Sequence, residues 1–560
     1  MPVPLVKLQR AILRRVAAAS LLVGFAHAAY GAEWQFSVKN PNGKGRTFLW
    51  VPPSCEHVRG IVLAQQVILE KLALEDPNIR AAAAAEDLAV ALVVPACIGD
   101  FDEKGRGAET LQKLLGDLAD ESGYAEIAEA PLLTMGHSGG ALFAWNTAYW
   151  NPGRCFGVVG LKSAPIHPPG YAPKSNVDGV PILCVTGQYE SWGVAHHPAD
   201  WHWRWVRGTL LEFRAIGVES LMSELVEPGV THFGWDDELA KYVAMFIRKA
   251  AHLRIPAGIP AAGQAVPLNH LPLESGWLAD CALLTPPRYP AAPYASYRGD
   301  PALAFWHLDE EMARANEAYG AKRKGKELQA VTFVQEGKPI PTAWLEEPKF
   351  EPLEDGMTIK VAAAFLSSTP PEMSYPERRE LGHAAGPILF RLIGGWHGGG
   401  EQTGPDTFRI KLDRFFFSRP WGSLMIMAYQ PGDDRYAYAE QAAGYKFPPV
   451  NNTGKAQKIT FAPIANPAAE TVSIPLAATS DANLPVEFCV IAGPAEIEGN
   501  TLKLTAIPAR AKHPVKVTVT AYQWGRSIDP PVRSAEPVEQ TFLVGVPPLA
   551  AQKMSPSELP

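Results

Sequence analysis

Between residues 33 and 255, short apolar runs alternate with stretches whose apolar residues recur at helical spacing. Runs such as 60–65 and 89–94 have the length and composition of buried strands, whereas the spacing of leucines over 108–122 predicts a helix. Strands that alternate with helices in this way are typical of a parallel sheet covered on both faces. We therefore predict a doubly wound, mostly parallel α/β sheet for residues 33–255.

Further elements of this region follow from the same pattern. Asp76 followed by Pro77 has the form of a helix start, because aspartate caps the first turn and proline fits the first helical position. The other apolar segments predict strands at 131–135, 156–161, 181–186 and 221–226, and helices at 77–87, 198–216 and 236–252, with one more helix beginning at Ala141.

The alternation stops after residue 255, and proline becomes frequent. Residues 256–272 carry four prolines among alanines and glycines, which predicts a linker. Residues 273–450 are expected to form a β-rich module of unassigned role. It has one helical stretch at 301–318 and strands near 358–362 and 422–427.

A period-two apolar pattern over residues 515–522 indicates a half-buried antiparallel strand. With the neighbouring short strands and turns it predicts an Ig-like β-sandwich over residues 457–545. Two roles stay open for this sandwich, a spacer and a carbohydrate-binding module. Residues 546–560 are expected to be a disordered tail.

The N-terminus has the pattern of an export signal. Cationic residues from Lys7 to Arg15 precede an apolar run over 16–26, and Ala26-His27-Ala28 has the small-x-small form of a cleavage site. We predict a signal peptide at 1–28 and a secreted or periplasmic protein, with a membrane-tethered N-terminus as the alternative. No later segment reaches the roughly 18 consecutive apolar residues of a membrane helix, so no stable membrane anchor is expected.

Composition narrows the function classes. The chain of 560 residues is 47% hydrophobic and 19% charged, with a formal net charge of −7, which is typical of globular domains and offers no basic surface for nucleic acid. The six cysteines are compatible with disulfides, and Cys55 and Cys97, each just past a predicted strand, are the one pair we expect. The absence of C-x-x-C and H-E-x-x-H leaves no indication of a metal, and no cofactor is expected.

Gly136-His137-Ser138-Gly139-Gly140 is a G-x-S-x-G sequence between a predicted strand and a predicted helix. That context is a nucleophile elbow, in which a strained serine stands exposed at the carboxyl edge of a sheet. Ser138 is therefore the candidate nucleophile.

A serine needs a histidine to take its proton and an acid to orient that histidine. With the chain order serine, acid, histidine, His232 follows the last predicted strand and is the candidate base. Glu190 follows the strand at 181–186 and is the preferred acid, with Asp200 and Asp178 as alternatives.

Backbone donors must stabilise the oxyanion of the tetrahedral intermediate. The amide of Gly139 is one, and the loop after residues 60–65 should supply the second, for which Gln66 is the candidate. The His-Gly pair usual in this loop is missing here. Trp192 and Trp235 flank the proposed acid and base and are candidates for substrate contact, as is His137.

The motifs at 136–140, 187–190 and 231–233, in that order, resemble the α/β-hydrolase superfamily. They are most similar to secreted bacterial esterases of the polyhydroxybutyrate-depolymerase and feruloyl or acetylxylan esterase group. The resemblance covers residues 45–252 and implies a secreted serine ester hydrolase with the triad Ser138, His232 and Glu190. Its expected substrate is an aryl or acyl ester, or an esterified polysaccharide. A secreted serine peptidase and a polysaccharide-binding protein with an inactive hydrolase domain are the alternatives.

Overall fold

The structure is a computed structural model that describes most of the chain from Trp34 to Gly545. The predicted signal peptide, the predicted tail, Cys281 and Asp200 lie outside the described residues. The described ranges are 34–99, 101, 106–163, 177–194, 201–258, 263–280, 288–322, 325–370, 379–393, 399–418, 422–448 and 450–545.

An eight-stranded sheet forms the centre of the N-terminal half, in the order β1-β2-β4-β3-β5-β6-β7-β8. β1 and β2 pair antiparallel and β2 pairs antiparallel with β4, whereas every pairing from β4 to β8 is parallel. The mostly parallel sheet predicted from the sequence is confirmed. Its strands are β1 (Phe36–Lys39), β2 (Arg46–Trp50), β3 (Gly60–Gln65), β4 (Leu88–Val94), β5 (Leu132–His137), β6 (Cys155–Leu161), β7 (Ile182–Gly187) and β8 (Met222–Glu227).

Helices connect β3 to β4, β4 to β5, β5 to β6 and β7 to β8, because a crossover between parallel strands must carry the chain back to the end of the sheet where the next strand starts. Asp76 caps its helix through the amide of Asn78, and Asp236 caps the last helix of the unit through the amide of Leu239. The helices of this half are α1 (Glu70–Glu75), α2 (Pro77–Ala85), α3 (Gly107–Ser122), α4 (Ala141–Trp150), α5 (Trp201–Ala215) and α6 (Asp237–Arg254), with 3₁₀ turns at Ala125–Ala128, Ser138–Gly140 and Pro152–Arg154.

Small antiparallel sheets make up the region after residue 272. The prediction of a helix over 301–318 was wrong in its first half, because Phe305–His307 pairs with Trp277–Ala279 as a strand and the helix starts only after the Asp309 cap. The elements are α7 (Glu310–Ala321), 3₁₀ turns at Leu273–Ser275, Tyr294–Ser296 and Phe416–Ser418, and the strands β9 (Trp277–Ala279), β10 (Ala292–Pro293), β11 (Phe305–His307), β12 (Val331–Gln335), β13 (Lys338–Pro339), β14 (Thr358–Lys360), β15 (Ala362–Phe365), β16 (Leu389–Leu392), β17 (Gly400–Gly404), β18 (Thr407–Ile410), β19 (Gly422–Gln430) and β20 (Ala439–Phe447).

The C-terminal region consists of three small sheets around one apolar cluster, with strand orders β21-β23, β22-β26-β25 and β24-β27-β28. All of their pairings are antiparallel. The Ig-like arrangement stays a prediction. The strands are β21 (Ile459–Phe461), β22 (Ser473–Pro475), β23 (Ala478–Ser480), β24 (Glu487–Ala492), β25 (Ala495–Glu498), β26 (Thr501–Leu504), β27 (Val515–Tyr522) and β28 (Val538–Val544).

The hydrophobic core crosses the boundaries predicted from composition. One buried cluster contains Val62 and Phe246 of the N-terminal half together with Trp306, Met427 and Ala442 from beyond the predicted linker. A loop of the C-terminal region also packs on the N-terminal half, where the amide of Lys512 donates to the Ser122 carbonyl at 2.8 Å. The downstream region is therefore fixed against the sheet.

The predicted Cys55–Cys97 disulfide was wrong, because both residues are free thiols. Both lie in the apolar cluster under the first strands, where burial raises the pKa of Cys55 to about 12 and that of Cys97 to about 11. Among the described residues, no helix combines the length and apolar character needed to cross a membrane.

Candidate active site

Ser138 lies at a sharp turn between β5 and α4. Its φ of +52° is in the left-handed region, where a non-glycine residue is strained. The turn is tight, since a Cβ on Gly136 would stand 2.2 Å from the Gly140 carbonyl oxygen. Ser138 is half-buried and Gly139 is exposed. This is the local geometry of a nucleophile elbow.

Glu190 and His232 are brought together from two different loops. His232 Nδ1 donates to Glu190 Oε1 at 3.1 Å, and Glu190 Oε2 accepts from the Gly187 amide at 3.0 Å. Both side chains are buried. A proton on Nδ1 leaves Nε2 as the basic nitrogen, which is the tautomer that a general base toward serine requires.

Asp178 lies elsewhere. It precedes β7, whereas Glu190 follows that strand, so the two residues belong to opposite edges of the sheet. Its Oδ1 accepts from the Glu219 amide at 2.7 Å. The structure thus places Glu190, and not Asp178, against His232.

His137 ties the histidine loop to the elbow. Its Nε2 donates to the His232 carbonyl at 3.0 Å, and the two rings are 4.8 Å apart. Burial and the neighbouring His232 and Lys162 hold the pKa of His137 well below its ordinary value, so its ring is neutral. The prediction that His137 contacts substrate does not fit a fully buried side chain.

Glu70 is a buried carboxylate beneath the elbow that the sequence analysis missed. Its Oε1 accepts from the His137 amide at 2.8 Å, and its Oε2 accepts from the amides of Val67 and Ile68 at 2.8 Å each. A Cβ on Gly140 would stand 2.4 Å from Glu70 Oε1, so the last glycine of the motif makes room for this carboxylate. Burial raises the pKa of Glu70 to about 7. The sequence feature that could have indicated this role is an acidic residue shortly after strand β3.

Gln66 does not fit the predicted role of second oxyanion donor. Its backbone amide donates to the Val93 carbonyl at 2.9 Å, and its side-chain amide donates to the Ile68 carbonyl at 2.9 Å. The next two backbone amides of the loop, those of Val67 and Ile68, donate to the Glu70 carboxylate. The Gly139 amide keeps its predicted role as a proposal, since a Cβ on Gly139 would meet nothing within 4 Å.

Trp192 and Trp235, the predicted substrate contacts, are both buried in the core and present no open face. Trp192 is buried against Leu328 and Ala330 of the downstream region. Trp235 is buried in the main core, where its Nε1 donates to Asp76 Oδ2 at 3.2 Å. Aromatic residues next to a catalytic residue in sequence do not thereby face the site.

A buried ion pair lies at the same edge of the sheet. Lys162 follows β6 directly, and its Nζ pairs with Glu227 at the end of β8. Both side chains are fully buried. Burial lowers the pKa of Lys162 to about 8, against the opposing influence of Glu190 and Glu440.

The downstream region reaches the histidine loop through Trp344 and Glu440. The indole of Trp344 lies 4.2 Å from the His232 ring, centroid to centroid. Glu440 Oε1 accepts from the amide and the hydroxyl of Thr231 at 2.9 and 3.1 Å. No local pattern in the sequence indicates either contact, because each joins segments more than a hundred residues apart.

Within the part of the chain that the structure describes, no group of three or more histidine, cysteine or acidic side chains is arranged to hold a metal ion.

The sheet and the elbow together match the core of an α/β-hydrolase. Solved structures with a similar arrangement include a carboxyl esterase from Bacillus coagulans (15% identity, 39% of this chain and 98% of the other, TM-score 0.27). A second is an esterase from Pyrobaculum calidifontis (16% identity, 45% of this chain and 99% of the other, TM-score 0.28). A third is a carboxylesterase from Bacillus cereus (14% identity, 36% of this chain and 93% of the other, TM-score 0.25).

No protein-family model matches the sequence, and no curated protein matches it. The structural likenesses carry no inference about activity, so the function is argued from the residues of the site.

Proposed function

We propose that this protein is a secreted serine carboxylic-ester hydrolase that uses Ser138, His232 and Glu190. The observation that carries the proposal is the buried Glu190–His232 hydrogen bond beside the strained turn at Ser138. Nucleophile, base and acid come from the ends of β5, β8 and β7, which meet at one edge of the sheet.

The reaction follows from the roles of these side chains. His232 Nε2 takes the hydroxyl proton as Ser138 Oγ attacks the ester carbonyl, and the ionised Glu190 stabilises the imidazolium. The Gly139 amide donates to the oxyanion. His232 then protonates the leaving alcohol, and water, activated by His232, releases the acid from the acyl-enzyme.

The buried neighbours support this arrangement by fixing its parts. Glu70 holds the amide at the elbow, and His137 and Glu440 hold the loop that carries His232. Because these buried hydrogen bonds already fix the position of the triad, its side chains lose little orientational freedom on reaching the reactive geometry.

For substrate, we propose an aryl or acyl ester, or an ester group on a polysaccharide. The predicted signal peptide and the resemblance to secreted bacterial esterases support an extracellular polymer as the source of such esters. The motifs resemble those of the polyhydroxybutyrate-depolymerase and feruloyl or acetylxylan esterase group.

Hydrolysis of p-nitrophenyl acetate by Ser138→Ala tests the proposal. We expect turnover to fall by several orders of magnitude, up to about 10⁶ from the precedent of serine triads. Ser296→Ala, at an exposed serine, is the matched control and should keep wild-type turnover. Wild-type activity in Ser138→Ala contradicts the proposal, and cleavage of casein in place of the ester favours a peptidase.

A further inference from the structure

Trp344 is an aromatic residue of the downstream region that packs on the ring of the proposed base, His232. Its indole is half-buried and packs on the rings of His232 and Phe233 at 4.2 and 5.1 Å. Part of its surface therefore remains open next to the proposed base, unlike Trp192 and Trp235, which are buried.

The segment that carries Trp344 is fixed on both sides. The Ala343 carbonyl accepts from Gln441 Nε2 at 2.9 Å. Gly193, in the loop that carries Glu190, packs against the same residue. A Cβ on Gly193 would stand 2.3 Å from the Ala343 carbonyl carbon. On the other side, the buried Glu346 carboxylate accepts from Thr332 Oγ1 and from the Phe333 amide at 2.7 and 2.8 Å. The indole is thus held in place before any substrate binds.

We propose that Trp344 forms the subsite for the alcohol part of the ester and that this alcohol carries a ring whose face stacks on the indole, either a phenol or a sugar. The inference rests on the proposed function. In acyl transfer the histidine protonates the leaving alcohol, so the proposal places that alcohol against the open part of the indole next to the imidazole. An indole presents a broad, rigid apolar face, which suits the face of a ring better than a short alkyl chain.

Three acetate esters that share one acyl group test the subsite: phenyl acetate, an O-acetylated methyl xyloside and ethyl acetate. In Trp344→Ala, kcat/KM for the two ring alcohols should fall about tenfold more than for ethyl acetate, the size of a lost ring contact. Trp344→Phe keeps an aromatic face and should restore most of the loss. Trp277→Ala, at a half-buried tryptophan of β9, is the control and should keep the wild-type ratio of ring to ethyl esters.

The outcomes separate the subsite from the function. Equal losses on all three esters, or a shifted pH profile of kcat/KM in Trp344→Ala, mean that Trp344 only positions His232 and overturn the subsite. A selective loss on one of the two ring alcohols identifies which ring binds. A Ser138→Ala variant that still cleaves the esters overturns the proposed function instead, and a wild type that cleaves none overturns both.

Discussion

At the scale of single residues, Glu70 links the loop after β3 to the nucleophile turn. Its carboxylate accepts hydrogen bonds from three backbone amides, those of Val67, Ile68 and His137. The G-x-S-x-G motif and chain order led to Ser138, Glu190 and His232 as candidates, because the roles follow strand ends. They could not find Glu70 or exclude Gln66, since which amides a loop leaves open depends on its folded hydrogen bonds.

Glu70→Gln should lower kcat and leave KM near its wild-type value. The amide has one acceptor oxygen, so at least one of the three backbone donors loses its partner, at a cost of about 1–3 kcal/mol. That corresponds to roughly a fivefold to 150-fold loss of kcat if it falls on the transition state. Steady-state kinetics measures it, with Glu470→Gln at an exposed glutamate as control. A Glu70→Gln enzyme with wild-type kcat contradicts the positioning role.

Glu70 also predicts a pH dependence of stability. Burial raises its pKa from 4.5 to about 7, so the folded protein holds this proton more tightly than the unfolded chain does. Its contribution to stability is complete below pH 4.5 and is lost as pH rises through about 7. The melting temperature of the wild type minus that of Glu70→Gln should therefore decrease across this interval. A difference that is flat or rises with pH would refute the assignment.

At the scale of elements, most strands and helices of the N-terminal half lie where the apolar pattern placed them, because burial on both faces leaves a local signal. Strand β3 has the predicted bounds, and helix α3 begins one residue earlier than expected. The apolar pattern gave wrong predictions where the pairing between strands sets the bounds or the burial of an element. Residues 358–362, predicted as one strand, divide between β14 and β15 in different sheets. Strand β27, predicted to be half-buried, is buried on both faces over its second half.

Glu440 on β20 should control the loop that carries His232. In Glu440→Ala the amide and hydroxyl of Thr231 lose their acceptor, and Arg391 loses its ion pair with this carboxylate. We expect kcat to fall by up to about 10², the effect of a small misplacement of a catalytic group. Thr231→Val removes only the hydroxyl contact and should cost less. Equal activity in all three proteins would show that the loop needs no such anchor.

At the scale of the whole molecule, the downstream region contributes to both the core and the site. Trp306, Met425 and Met427 share one buried cluster with the residues that cover the parallel sheet. The proline content of residues 256–272 predicted a linker between separate modules, because composition reports only on the local segment. Contacts between distant segments leave no local pattern in the sequence, so the shared core could not be predicted.

Calorimetry tests this shared core. Heating should give one cooperative transition that includes the parallel sheet and the region after residue 272. Trp306→Ala should lower the melting temperature of the whole, since removing a buried tryptophan costs about 3–5 kcal/mol. Two separate transitions, with only the second shifted by this variant, would mean that the regions fold independently.

The proposed function depends above all on Ser138 as the activated nucleophile. The most direct measurement is mass spectrometry of the protein after reaction with a fluorophosphonate, which forms a covalent bond with an activated serine. We predict one adduct, on the peptide that contains Ser138, and none in Ser138→Ala. An unlabelled Ser138 in a protein that still hydrolyses esters, or an adduct at another serine, would contradict the proposed role of Ser138.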